Sequence, residues 1–440
     1  MSVLNLVFVI LGIILIVISA GMLFAVNPFK HPHPTESDLS YAQLPFYLYY
    51  SSRYLFPVKR AEKGSNLENL FKETSKPEEG GLSNMRSLSL RSTGDLMYRR
   101  DNLPPESPGL WTEVAPYLTA GDIKAGNLEF AVNREMNFEK LIRFSIPPEK
   151  AEHMININGY GRFDVLFTAN NHINDSYFQG ITSTNDYLDT LGIIHVGANR
   201  RPEEADRIPV IEKNGIKVAF LAYSFSTNGI PMDQGREYGV NLVRFNALSD
   251  SDYDPSMIYR HIRAAREKGA EFVVVSCHWG VEFHYYPFKR LVDRAHGIMD
   301  EGADVIIGHH PHILNPAEWY RTRDGRNALC CYSLANITGA GLLRSYHHLS
   351  EVVSIDLEKG KDHDGRERVR IGRAEIMPTF YIRSRRKGMG DNHIVPLFEA
   401  CNRIRSGDPY PWLKPGHKRT LLRMEKEFMK HFYQEGFEYV

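Results

Sequence analysis

Between residues 87 and 337 the chain repeats one pattern: a short run rich in Val, Ile, Leu and Phe that ends in polar residues, followed by a segment with helical spacing. The runs cover 87–97, 163–172, 217–225, 271–280, 304–312 and 329–337. Runs this apolar and this short read as strands covered on both faces. The segments 110–121, 180–192, 254–270 and 287–303 carry apolar residues at helical intervals, and three of the four close on Gly-Ala or Leu-Gly, as helix ends do. Asn214-Gly215 between two apolar runs predicts a hairpin turn. Alternating strands and helices require an α/β domain, in which ligands bind at the carboxyl ends of the strands.

Those ends are where this chain collects its polar residues. Asp95 closes the first run, and Asn127 and Glu129 follow Gly126. Asn170, Asn171, His172 and Asp175 follow the 163–168 run; His278 ends another, and His309, His310 and His312 end the next. Imidazole, carboxylate and amide together form a donor set suited to Mn, Fe or Zn. Taken singly, each has an ordinary explanation: Gly94-Asp95 as a turn, Asn171-His172 as a helix cap, His278 as a hydrogen-bonded core histidine. Together they are hard to explain without a cation, because carboxylates and histidines buried at strand ends are costly to desolvate. His310 and His312, two apart on an extended segment, would face one side and reach adjacent ions. Asp175 and Glu282 read as carboxylates that orient a histidine.

Composition excludes some functions. Fifty-three basic and 53 acidic residues leave no net charge, so the strongly basic field of a nonspecific nucleic-acid binder is missing. Cys277, Cys330, Cys331 and Cys401 match no zinc spacing and read as buried apolar thiols. Val3 to Val26 contains no charged residue and is long enough to cross a hydrocarbon core of about 30 Å. It lacks the basic start and small-residue cleavage site of a secretory signal, so it reads as an uncleaved transmembrane helix. The expected organisation is an anchor at 1–27, a membrane-proximal linker at 28–84, the α/β domain at 85–348, and strands plus a helical extension at 349–440 that complete or pack on it.

The order Asp95, Asn127-x-Glu129, Asn170-Asn171-His172, His278-Trp279-Gly280, Gly308-His309-His310-Pro311-His312 and Tyr332-Ser333-Leu334-x-Asn336 resembles the capsule-synthesis CapA family, a branch of the calcineurin-like metallophosphatase superfamily. The resemblance covers about residues 88–340. It implies a four-layer α/β/β/α sandwich with two divalent metal ions. It also implies Asp95, Glu129, Asn171, His278, His310 and His312 as their ligands, and His172 beside a leaving group. Asn127, Asp175, Glu282, His309 and Asn336 would support the ligands or the substrate. Met97 replaces the histidine of a typical metallophosphatase Asp-x-His motif, Asn127 replaces an aspartate, and Ala335 stands where the CapA branch usually has glycine.

Two functions follow as expectations. One is a role in capsule or poly-γ-glutamate biosynthesis and export, with membrane-bound synthase or export components as partners. The other is metal-dependent hydrolysis of a phosphoester at the cell envelope, for which two ions about 3.5–4 Å apart would stabilise the attacking and leaving oxygens. In either case the ligand is an anionic polymer or phosphoester, not nucleic acid. A non-catalytic scaffold on the same fold is a third reading. The expected location is the cell membrane, with a single-pass anchor and an extracytoplasmic domain. Lys30, Arg53, Lys59 and Arg60 follow the span, but long domains translocate regardless of such charges.

Overall fold

The computed structural model describes residues 52–440 except 99–108, 137, 141–142, 158, 340–343 and 384–391. The expected anchor, Val3 to Val26, lies outside the described residues. Among the described residues no helix is long and apolar enough to cross a membrane.

Strands β1 (Ser83–Leu96) and β2 (Ile123–Leu128) start a first sheet; β3 (Ala131–Val132), β4 (Phe138–Lys140) and β5 (Arg143–Ile146) form a small separate one, and β6 (Val165–Phe167) and β7 (Ile194–Val196) return to the first. A second sheet follows from β8 (Val210–Lys213), β9 (Ile216–Ser224), β10 (Phe272–His278), β11 (Val305–His309), β12 (Leu314–Arg321) and β13 (Asn327–Leu334), in the order β12-β13-β11-β10-β9-β8. The chain then crosses back. β14 (Leu349–Lys361) pairs antiparallel with β1, and β15 (Glu367–Ile382), β16 (His393–Pro396) and β17 (Glu438–Tyr439) extend that edge. Asn214 and Gly215, both with positive φ, make the predicted turn between β8 and β9.

The apolar runs are buried on both sides. In β10, Phe272 and Val274 face the core between the sheets, whereas Val273, Val275 and Cys277 face a helical layer. That layer is made by Ile258, Ile262 and Ala265 of one helix (Ser256–Glu267) and Leu291, Ala295 and Ile298 of another (Lys289–Glu301). On the outer face of the first sheet, Ala115, Leu118, Ala151, Met154 and Leu188 cover Leu96, Leu128 and Leu166. Each such aliphatic side chain contributes about 1.5–3 kcal/mol on burial. The result is a mixed α/β structure of two stacked sheets with helices outside both. Cys330 and Cys331 illustrate the alternation: they point to opposite faces of β13, and all four cysteines are buried free thiols.

Part of the stretch read as linker packs on the domain. Val58, Leu67 and Phe71 are buried against the second sheet's helical layer. The C-terminal helices Leu397–Arg405 and Pro415–His431 cover Phe380, Ile382 and Val395.

One buried carboxyl makes stability depend on pH. Burial pushes Glu351 on β14 from an ordinary 4.5 up to about 8. Between those values the unfolded chain ionises while the native chain keeps its proton, so stability falls as pH rises, by up to about 1.4 kcal/mol per unit. Glu351→Gln removes this titration. The variant is expected to be about 2–3 kcal/mol more stable than the wild type at pH 7 and indistinguishable from it near pH 4, as read by urea unfolding at both pH values.

Candidate metal centre

The carboxyl ends of β1, β2 and β6 in one sheet meet those of β10, β11 and β13 in the other. Two glycines permit close backbone packing here, Gly94 between the sheets and Gly308 within the second sheet. A Cβ on Gly94 would lie 1.9 Å from the Ala335 carbonyl oxygen, and one on Gly308 would lie 2.0 Å from that of Tyr332. Asp95 N–H donates to Ala335 O at 2.8 Å, and Ile337 N–H donates to Asp95 O at 3.0 Å, which stitches the sheets together at the site.

Asp95, Asn127, Glu129, Asn171, Asp175, His278, His309 and His310 are all fully buried there. His172, Glu282, His312 and Asn336 are slightly exposed and mark the side open to solvent. Three donor groups have ligand atoms within 4.8 Å of one another: Glu129 with His278 and His310; Glu282 with His310 and His312; and Asp95 with Glu129 and His312. Glu129, His310 and His312 each belong to two of the groups, an overlap suited to two neighbouring ions.

The supporting contacts are specific. His309 Nδ1 lies 2.7 Å from Asp95 Oδ1, and Asn127 Nδ2 donates to the same oxygen at 2.8 Å. The His310 backbone N–H donates to Asp95 Oδ2 at 3.1 Å. His312 Nδ1 pairs with Asn336 Oδ1 at 2.8 Å, and His278 Nε2 with Asn171 Oδ1 at 2.9 Å. His172 Nδ1 lies 2.7 Å from Asp175 Oδ2, the orienting contact the sequence anticipated. Phe144 packs over the His172 ring at 4.4 Å and Phe225 against His310 at 4.5 Å.

Burial and mutual contact shift several of these groups far from their ordinary protonation. Burial acts to raise Asp95, but His309 outweighs it and holds the carboxyl well below the usual range. Burial and the neighbouring Asp95 push Glu129 far above that range. Burial lifts Glu282 to about 8 and drives His278 well below an ordinary histidine. Both Glu129 carboxylate oxygens are buried and accept no hydrogen bond among the described residues. A divalent ion is the group that would satisfy such an orphaned carboxylate beside two imidazoles, so the donor set fits a metal.

The geometry departs from the sequence reading in three respects. The segment carrying His310 and His312 is not extended: β11 ends at His309, and the two histidines have φ of 95° and 55°. Their rings nonetheless converge, 5.7 Å apart. Glu282, expected to act at one remove, reaches the donor set itself, its Oε1 3.7 Å from His312 Nε2. Asn228, overlooked in the sequence, accepts from Asn171 Nδ2 at 3.0 Å and contacts the His172 ring. Its only signal was the Asn-Gly dipeptide at 228–229, which marks a turn and nothing more. Ala335 holds φ 55°, the left-handed conformation that glycine adopts without cost.

A family model, that of the bacterial capsule synthesis protein PGA_cap, matches residues 89–339, more than half of the chain. The chain belongs to the PGA_cap family. Relatives of this family member include the PGA biosynthesis protein CapA of Bacillus subtilis, 30% identical over 257 residues, which are 57% of this chain and 62% of the relative. The capsule biosynthesis protein CapA of Bacillus anthracis is 28% identical over 270 residues, again 57% of this chain and 62% of the relative. The match thus spans about three fifths of the length of either relative. Among solved structures, a Staphylococcus aureus chain described as a "Putative 5'-Nucleotidase" in complex with alpha-ketoglutarate aligns over 77% of this chain and 58% of that one. Its TM-score is 0.39 at 10% identity, too distant to bear on chemistry.

Proposed function

We propose that this PGA_cap protein is a membrane-anchored component of capsule or poly-γ-glutamate polymer production and export, working with membrane-bound synthase or export partners through a dinuclear metal centre. The observation that carries the metal centre is Glu129: a fully buried carboxylate without a hydrogen bond among the described residues, set among His278, His310 and His312. The biosynthetic roles in the names of the two CapA relatives support the polymer role. The uncharged run from Val3 to Val26 supports the anchor; the domain's place outside the cytoplasm is part of the proposal. The layered fold, with ligands at opposed strand ends, is the arrangement expected of a calcineurin-like metallophosphatase.

Asp95, Glu129, Asn171, His278, His310 and His312 would hold two ions, with Glu282 as a further donor. Bound Mn, Fe or Zn would supply Lewis acidity and a water of lowered pKa. The chain's own residues do the rest. Asn127 and His309 hold the Asp95 carboxylate in place, and Asn336 orients His312. Asp175 engages His172 Nδ1, which leaves Nε2 as the nitrogen that gives a proton to a leaving group. The His172–Asp175 pair beside the donor set also favours a second reading, hydrolysis of a phosphoester at the envelope.

Deletion of the gene is expected to abolish surface polymer. The full-length protein with Mn is expected to hydrolyse an aryl phosphodiester if the second reading holds. His172→Ala should then lower the rate about 10²- to 10⁴-fold with bound metal unchanged. Surface polymer retained after deletion rejects the polymer role. Polymer loss with no hydrolysis by the wild type rejects the phosphoesterase. Full function from a His172→Ala chain leaves the centre a scaffold.

A further inference from the structure

A second candidate site shares no residue with the metal donor set. The end of β15, the turn at Ser345–His348 and the first half of the helix Pro415–His431 enclose a cleft of about 1160 Å³. Arg344, Arg383, Lys414, Arg419 and Arg423 line it, and no carboxylate does among the described residues. Arg344, Lys414, Arg419 and Arg423 are exposed, so their charged ends reach water at the cleft wall. Phe380 and Ile382 of β15, which share one apolar cluster, also line it.

This imbalance is local to the cleft. The whole chain has no net charge, and arginines on the neighbouring helix are neutralised: Arg403 pairs with Asp408 at 3.1 Å and Arg405 pairs with Glu425. Arg344, Lys414, Arg419 and Arg423, held along one concavity, repel one another and focus a positive field that an anionic ligand would relieve. The wall is also ordered in part. Arg423 Nη2 donates to Ser345 Oγ at 2.7 Å, and His348 Nδ1 pairs with the Tyr381 carbonyl at 2.8 Å. The volume exceeds the roughly 300–1,000 Å³ of a small-molecule pocket, which favours a long ligand. The concave form favours a chain lying in a groove over a flat bilayer. Guanidinium groups pair with carboxylates through parallel hydrogen bonds, which suits repeated carboxylates along a polymer.

We propose that this cleft binds an extended polycarboxylate chain, holding the polymer on the protein at a site separate from the metal centre. The choice of carboxylate rests on the polymer reading above, whereas the cleft itself rests on its charge and form.

The test is fluorescence anisotropy of labelled poly-glutamate with the full-length protein in detergent. The expected result is salt-sensitive binding that weakens at least about tenfold in R344E/K414E/R419E at roughly 0.1 M salt. A control reversing three highly exposed charges elsewhere, R201E/R323E/R366E, should stay within about twofold, since these residues lie outside the cleft and exposed ion pairs such as theirs contribute little. If the triple variant fails to fold, R344Q and K414Q singly are expected to weaken binding about threefold each. Unchanged binding in these variants overturns the proposal, even if gene deletion abolishes polymer. Tighter binding to phosphatidylglycerol vesicles or to single-stranded DNA than to poly-glutamate overturns the ligand assignment. Surface polymer that survives deletion, alongside cleft-dependent poly-glutamate binding, would reject the polymer role and leave the binding site standing.

Discussion

His310→Ala and His312→Ala are each expected to bind Mn(II) at least about 100-fold more weakly than the wild type by isothermal titration, with the far-ultraviolet circular dichroism unchanged. Each histidine belongs to two of the three donor groups, so its loss impairs both candidate ion positions instead of one. The folds should persist because the backbone contacts of this loop remain: His310 N–H still reaches Asp95 Oδ2, and Trp279 N–H still donates to the His309 carbonyl at 3.1 Å. A graded comparison separates ligands from their supports. Asn336→Ala removes only the hydrogen bond that orients His312, and losses from such supporting contacts run about 10- to 100-fold. The wild type should gain about 2.7 kcal/mol of stability at a metal concentration one hundred times the dissociation constant. A wild-type chain that binds none of Mn, Fe or Zn, and is not stabilised by any of them, would refute the metal centre.

Gly308→Ala should destabilise the protein by about 4 kcal/mol or more, or prevent it from folding, although the substitution adds one methyl group. The new Cβ would sit 2.0 Å from Tyr332 O, 2.5 Å from Tyr332 C and 2.8 Å from Cys331 O. All three are backbone atoms of β13, which is hydrogen-bonded to β11 through Ile306–Cys330 and Ile307–Cys331. No rotamer change can relieve the clash, so the two strands must separate at the point where they present His309 and Asn336 to the site. Gly94→Ala should behave in the same way, because its Cβ would lie 1.9 Å from Ala335 O. Two controls isolate the cause. Gly192→Ala has open space but φ of +68°, so only the left-handed penalty of about 1–2 kcal/mol applies. Gly80→Ala has open space and no such backbone constraint and should be nearly neutral. Guanidinium unfolding of the four variants orders them. A Gly308→Ala chain as stable as Gly80→Ala would show that the strands do not approach this closely.

The elements that carry the site were legible because strands buried on both faces need apolar residues at every position. β10 opens on an unbroken apolar run at 272–275 for that reason, since Val274 and Val275 pack into different layers. The clustering of Asp95, Glu129, His278, His310 and His312 was legible because parallel strands present their carboxyl ends together. Asn228 was not legible, since a loop asparagine far from His172 in sequence has no local reason to meet it. Nor was the cleft. Arg344 and Lys414 are unremarkable surface cations in a charge-balanced sequence until β15 and the last helix bring them together.

By itself, then, the sequence determined what local patterns can encode: the strands and helices, the turn at Asn214-Gly215, and the polar residues that close each strand. Membership of the PGA_cap family rests on the same linear order. The tertiary structure alone decided that β14 returns to pair with β1, that Glu282 joins the donor set, and that His310 and His312 converge from left-handed backbone. These outcomes depend on contacts between distant segments and on backbone angles set by the close approach of two sheets, which neither periodicity nor spacing records.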